Sequence, residues 1–94
     1  MSSISFQDRV TLQKDVLLSD VGGEYVLLNL ESERYFGLDE VGTRMLSVLT
    51  SSDSIQAAYE TLLDEYDVDH ELLRQDLISL IDKLTVQGLV GIAG

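Results

Sequence analysis

The stretch Glu24-Tyr25-Val26-Leu27-Leu28-Asn29-Leu30-Glu31-Ser32-Glu33-Arg34-Tyr35-Phe36-Gly37-Leu38-Asp39-Glu40-Val41-Gly42 decides how this chain folds. Residues 25–30 and 34–37 read as two short extended segments joined by the polar turn Glu31-Ser32-Glu33, because aromatic and branched apolar side chains suit a pleated backbone. From Leu38 the apolar period changes from two to about 3.6, and Asp39 stands where a helix N-cap belongs. A short strand that runs straight into a helix leaves a sheet edge with no further strand to cover it. Such an edge carries unpaired N–H and C=O groups, which a protein must either hide or use.

Working outward, residues 10–12 and 15–21 are strand-like, and Gly22-Gly23 supplies the two successive positive φ angles of a tight hairpin. On the return strand Val26, Leu28 and Leu30 share one face and Tyr25, Leu27 and Asn29 the other. Both faces are largely apolar, so cover on more than one side is expected. A helix after Asp39 runs to about residue 49 and buries Val41, Met45, Leu46, Val48 and Leu49. Gly42 inside it costs about 1 kcal/mol relative to alanine, which close approach of the helix to the sheet would offset. Thr50-Ser51-Ser52 reads as a loop. Asp53 caps a second helix, with Gln56 completing a capping box and Ile55, Ala58, Tyr59, Leu62 and Leu63 as its apolar set.

Asp69 starts a third helix that ends near Gln87, with Gly88 as its stop. Leu73, Leu77, Leu80 and Leu84 make one stripe on it, and Ile78 and Ile81 widen the apolar arc beyond what core packing alone needs. Leu89-Val90-Gly91-Ile92 is left as a short tail. The expected fold is α+β and winged-helix-like, a three-stranded antiparallel sheet followed by three helices, in a single domain over residues 1–94.

Composition narrows the chemistry. The 94 residues contain no cysteine and one histidine, which excludes disulfides, thiolate catalysis and cysteine-held zinc or iron–sulfur centres. No apolar run approaches the roughly 20 residues that cross a bilayer. Met1-Ser2-Ser3-Ile4-Ser5 lacks the basic and apolar regions of a signal peptide, so the cytoplasm is the expected location. Six basic residues against seventeen acidic ones give a net charge of −11. That balance opposes binding to nucleic acid or to an anionic membrane, and its main effect is solubility.

The candidate catalytic groups are weak. His70 is a solvated first-turn residue between Asp69 and Glu71, with no nucleophile to activate. Gly22-Gly23 has no following helix to make a phosphate loop. The acidic cluster Asp64, Glu65, Asp67, Asp69 and Glu71 lacks the ligand spacing of a calcium loop and suits helix capping instead. Asp53-Ser54-Ile55 is similar to the phosphopantetheine attachment motif of acyl carrier proteins, but the strand-rich first half is foreign to that fold, and helix capping accounts for the pattern. No cofactor or metal is implied.

Tyr35 and Phe36 are the best candidate surface. Adjacent strand residues point to opposite faces. Either both pack under helices on a twisted sheet, or one lines a groove between the third strand and the third helix. That groove would have a free backbone edge on one side and an apolar wall on the other, which suits capture of a peptide by strand addition.

Val26-Leu27-Leu28-Asn29-Leu30, Tyr35-Phe36-Gly37-Leu38-Asp39-Glu40-Val41-Gly42 and Asp76-Leu77 with Leu84 and Gly88-Leu89-Val90 together resemble the PqqD-like family. Its members are leader-peptide recognition elements of ribosomally made, post-translationally modified peptides. Most of the chain, residues 16–90, takes part, and the phrase Tyr35-Phe36-Gly37-Leu38-Asp39 looks most like the stand-alone leader-binding subunit of lasso-peptide pathways. The resemblance implies a non-catalytic domain in which a leader adds antiparallel to the third strand, against the third helix. Carried onto this chain, the strand positions are Glu33, Arg34, Tyr35, Phe36 and Gly37. The facing helix positions are Leu73, Arg74, Asp76, Leu77, Leu80 and Ile81. If the central stripe is wholly buried, Arg74, Ile78 and Ile81 form the wall instead. The implied partners are a precursor leader peptide and a separate processing enzyme, a leader peptidase in lasso pathways or a radical SAM enzyme in others. The competing reading, a winged helix that binds nucleic acid, is opposed by Asp76 and Asp82 against Arg74 and Lys83 on the third helix, which leave no basic face.

Overall fold

The structure, a computed structural model describing residues 4–93, contains an antiparallel sheet of β2 (Val16–Val21), β3 (Glu24–Asn29) and β4 (Arg34–Gly37), with β3 in the middle. Three helices follow, α1 (Glu40–Ser51), α2 (Ile55–Glu65) and α3 (His70–Val86). This is the α+β order expected. Among the described residues no helix is long and apolar enough to cross a membrane.

The tail departs from expectation. Its residues form β5 (Val90–Ala93), which pairs antiparallel with β1 (Arg9–Leu12) in a separate ribbon, Leu12 opposite Val90 and Arg9 opposite Ala93. Val10 and Val90 are fully buried, so the ribbon closes the core from one side. Gln13 N–H extends it by donating to the Leu89 carbonyl at 3.1 Å. The same opening segment serves α2: Ile55 and Gln56 donate their backbone N–H groups to the carbonyls of Asp8 and Phe6 at 2.8 and 2.9 Å. Those donors have no partner inside a helix, and here the chain itself supplies one.

Both hairpins follow from their turn residues. Gly22 at φ 65° and Gly23 at φ 91° link Val21 to its partner Glu24 in the two-residue turn. In the second hairpin Asn29 Oδ1 accepts from the N–H groups of Glu31 and Ser32 at 2.9 and 3.2 Å. Glu33 closes that turn at φ 60°, a left-handed conformation that costs an L-residue about 1–2 kcal/mol.

Asp39 caps α1, accepting from Gly42 N–H at 2.8 Å. A Cβ on Gly42 would sit 3.2 Å from Asp39 Oδ1 and 3.4 Å from Leu38 Cδ2. The glycine therefore makes room for the cap, and not for the sheet as expected. Val41, expected in the core, is exposed, and Thr43 is buried in its place. The Thr43 hydroxyl accepts from Tyr25 N–H at 2.8 Å and donates to the Leu38 carbonyl at 3.4 Å, tying α1 to β3. Residues 50 and 51, read as loop, continue α1. Their hydroxyls donate back to the carbonyls of Leu46 and Ser47 at 3.0 and 2.8 Å, a bond that fits inside a helix.

Ser54, not Asp53, caps α2, its Oγ accepting from Ala57 N–H at 3.1 Å. The capping box is therefore absent, and the Gln56 amide donates instead to Glu60 at 2.9 Å. Asp69 caps α3, and Gly88 at φ 71° follows its end. The buried stripe of α3 is Leu73, Leu77, Ile81 and Leu84, with Leu80 only partly covered. The expected stripe chose Leu80 over Ile81, although spacings of four, four and three place Ile81 on the same face.

The helices cover only the face of the sheet that carries Leu18, Leu27 and Phe36. The opposite face, with Leu17, Val21 and Tyr35, is exposed, contrary to the expectation of cover on both.

Candidate functional site

β4 is an edge strand. Its inner side pairs with β3, Asn29 opposite Arg34, Leu28 opposite Tyr35, Leu27 opposite Phe36 and Val26 opposite Gly37. Among the described residues no strand pairs with its outer side. Leu38 N–H donates to the Tyr25 carbonyl at 2.8 Å. In an antiparallel ladder inward and outward residues alternate, so Arg34 and Phe36 also bond inward. The N–H and C=O groups of Tyr35 and Gly37 are left on the free edge. The side chains alternate as well: Phe36 packs on the core, and Tyr35 is 76% exposed.

The two ends of β4 stand near opposite ends of α3. At one end Asn29, opposite Arg34, donates its Nδ2 to the Gly88 carbonyl just past α3, at 3.4 Å. At the other, β4 passes through the buried Leu38 into α1, whose Val41 and Met45 share a cleft of about 140 Å³ with Leu72, Leu73 and Asp76 of α3. Tyr66 and Val68 complete that cleft, and Asp76 is its only charged residue. The α3 flank running from this cleft toward Gly88 is Leu72, Asp76, Leu80 and Lys83, at helical spacings of four, four and three.

The candidate residues therefore separate. Glu33, Arg34, Tyr35, Phe36 and Gly37 all lie on the edge strand or at its entry. Asp76 and Leu80 occupy the flank beside the cleft. Leu73, Leu77 and Ile81 are core residues, at 3%, 0% and 0% exposure, so Leu77 and Ile81 offer nothing to a partner and Leu73 only the floor of the cleft. Arg74 is on the other flank, its guanidinium stacked 5.0 Å from the Phe6 ring centre. Phe6 in turn meets Tyr59 edge-on at 5.7 Å. Of the alternative wall, Arg74 is on the other flank and Ile81 is in the core, which leaves Ile78 alone, half-buried. Sequence reading missed Val41, Val68 and Leu72, exposed apolar residues around the cleft. Leu72 alone carried a signal, an apolar residue outside the expected α3 stripe; Val41 was assigned to the core and Val68 lies between α2 and α3.

Ser54 is a cap, and the His70 carbonyl accepts from the Tyr59 hydroxyl at 3.1 Å. Among the described residues no group of three or more His, Asp or Glu side chains is placed to hold a metal ion. A larger depression of about 470 Å³ lies on the Gly22-Gly23 side of α1, lined by Asp20, Tyr25, Glu40, Arg44 and Glu65 among others. Its one cation, Arg44, forms a two-pronged ion pair with Glu65, Nε to Oε2 at 2.9 Å and Nη2 to Oε1. The mutual hydrogen bond holds Glu65 below the usual carboxylate range and raises Arg44.

A free strand edge with an apolar cleft near one end is the architecture of a module that pairs with an extended chain. The chain belongs to the PqqD family, described as coenzyme PQQ synthesis protein D, whose model matches residues 24–90. Two solved structures share its fold. TbiB1 in complex with the TbiA(beta) leader peptide is 30% identical, with a TM-score of 0.79 over 85% of this chain and 93% of that one. Lasso peptide synthetase B1 complexed with the leader peptide is 20% identical, with a TM-score of 0.80 over 88% of this chain and 98% of that one, a likeness of fold. Among curated proteins none matches.

Proposed function

We propose that this chain is a non-catalytic adaptor that captures the leader of a ribosomally made precursor peptide and presents it to a separate processing enzyme, in lasso-peptide biosynthesis. The observation that carries this reading is the unpaired outer side of β4, whose two ends stand near opposite ends of α3. The likeness to two proteins bound to leader peptides supports it. The leader adds antiparallel to β4, over Glu33 to Gly37, and its backbone pairs with the outward groups of Tyr35 and Gly37. Its apolar side chains rest on Leu80 and in the cleft at Leu72 and Asp76. Main-chain pairing gives affinity and the cleft gives selectivity. The adaptor acts in the cytoplasm, where such precursors are synthesised.

The test is a calorimetric titration with the synthetic leader encoded beside this chain. Ordering a disordered leader takes about 2–5 kcal/mol from the gross interaction, and saturable binding is expected within a titration that reaches tens of micromolar. No heat at tens of micromolar would remove the reading.

A further inference from the structure

We propose that the outer face of the β2–β3–β4 sheet is a second docking surface, on which the processing enzyme seats an apolar segment flanked by basic residues. This rests on the leader-binding reading above and adds a surface that the leader groove does not include. Leu17, Leu28 and Tyr35 stand directly opposite one another across the three strands, forming an apolar row. Leu17 is 53% exposed, Tyr35 76% and Val21 62%. One such residue alone needs no explanation; a continuous set on one sheet face marks an interaction surface.

The face also has a recess. Gly37 carries no side chain, and a Cβ built there would meet nothing within 4 Å. Beside it lies a cleft of about 360 Å³ lined by Val21, Val26, Glu24 and Asp39 among others. A lysine or arginine fits such a recess, its aliphatic stem on the valines and its charged head between the carboxylates.

Charge selects the occupant. Around this face the strands and their turns carry Asp15, Glu24, Glu31 and Glu33, while Asp20 and Arg34 alternate to the other face. Two copies packed face to face would oppose like charges within a chain of net charge −11. A partner with basic residues around an apolar centre is complementary. Position then gives the surface its use. A leader added to β4 continues the Leu17–Leu28–Tyr35 row by one strand, with every second leader side chain on this face. An enzyme docked here touches adaptor and leader at once, and so distinguishes the loaded adaptor from the empty one.

The experiment compares the wild type with Leu17→Lys/Val21→Lys and with the milder Leu17→Ala/Val21→Ala. Both positions are exposed and lie on β2, across β3 from the leader edge, and thermal melts verify folding. Anisotropy of a labelled leader gives leader affinity. Calorimetry gives the affinity of the processing enzyme encoded beside this chain for the preformed adaptor–leader complex. The expected result is leader affinity within about twofold of wild type, with enzyme binding weakened about tenfold by the lysine pair and less by the alanine pair. Unchanged enzyme binding in both variants overturns the proposal. So does a concentration-dependent dimer of the wild type that the lysines dissolve without affecting the enzyme, which assigns the face to a second copy. A wild type that binds no leader removes the underlying reading, a result distinct from either.

Discussion

Asn29 donates its side-chain Nδ2 to the carbonyl of Gly88, so the turn that precedes β4 is fastened to the residue just past α3. The same side chain turns its oxygen to the N–H groups of Glu31 and Ser32. One residue thus shapes the turn and sets the spacing between the free edge and the helix flank. Asn29→Ala loses all three bonds and is expected to cost about 1–2 kcal/mol in urea denaturation. Asn29→Asp keeps the two turn bonds and loses the donor to Gly88. It should retain most of the stability yet bind the leader several-fold more weakly, because the groove is no longer held at one end. Equal leader affinity in Asn29→Asp and wild type would show that this fastening does not set the groove.

Pairing at the β4 edge carries a period. Only Tyr35 and Gly37 present their backbone groups outward, so a leader strand pairs through every second residue. A series of leader peptides, each N-methylated at one position, should therefore alternate. Methylation of an N–H that faces β4 removes a hydrogen bond of about 0.5–1.5 kcal/mol net and adds a steric clash, for a loss of roughly tenfold. Methylation of the intervening N–H groups should change affinity by less than about twofold, with the alternation read from anisotropy titrations. A uniform loss would indicate that the backbone edge is not the contact.

The local parts of this architecture were legible in the sequence. Gly22-Gly23, Asp39 and Asp69 are turn and cap signals that act within a few residues, and each sits where its chemistry directs. The β1–β5 ribbon was not legible, because Val10 and Val90 come from opposite ends of the chain and four-residue strands carry little alternation. Sequence also gives the angular position of each residue around α3 but not which flank meets β4. That choice belongs to tertiary packing, here to Phe6 stacking under Arg74 and Asn29 reaching Gly88. Hence the edge residues were readable and the wall was not: Leu77 and Ile81 went to the core, while Leu72 and Val41 remained outside it.

The two flanks of α3 make a direct comparison. Leu72 is 54% exposed beside the cleft, so Leu72→Asp should leave folding within about 0.5 kcal/mol of wild type, as surface changes do. It should nevertheless weaken leader binding about tenfold, by placing a second carboxylate beside Asp76 in an apolar cleft. Arg74→Ala removes the guanidinium from the Phe6 ring, worth about 0.5–1 kcal/mol at an exposed site, and should leave leader affinity unchanged. The opposite outcome, binding sensitive to Arg74 and indifferent to Leu72, would move the groove to the α2 side of the helix.

The Arg44–Glu65 pair gives a prediction in pH. Its hydrogen bond lowers the Glu65 carboxyl pKa in the folded chain relative to the unfolded one. A lowered folded pKa contributes stability above the unfolded value, and that contribution is lost as pH falls through the folded value. The raised Arg44 pKa points the same way and titrates far above this range. Glu65→Gln should therefore be less stable than wild type at pH 7, with the difference shrinking as pH falls below the ordinary carboxylate value and through the lowered folded one. Both chains share the other carboxylates, so relief of general repulsion in acid cancels between them. The pair is partly exposed, and molar salt at pH 7 should shrink the same difference by screening. Urea melts of the two proteins at matched pH and salt measure it, and a difference that stays constant into acid would mean that Glu65 acts through packing rather than through its charge.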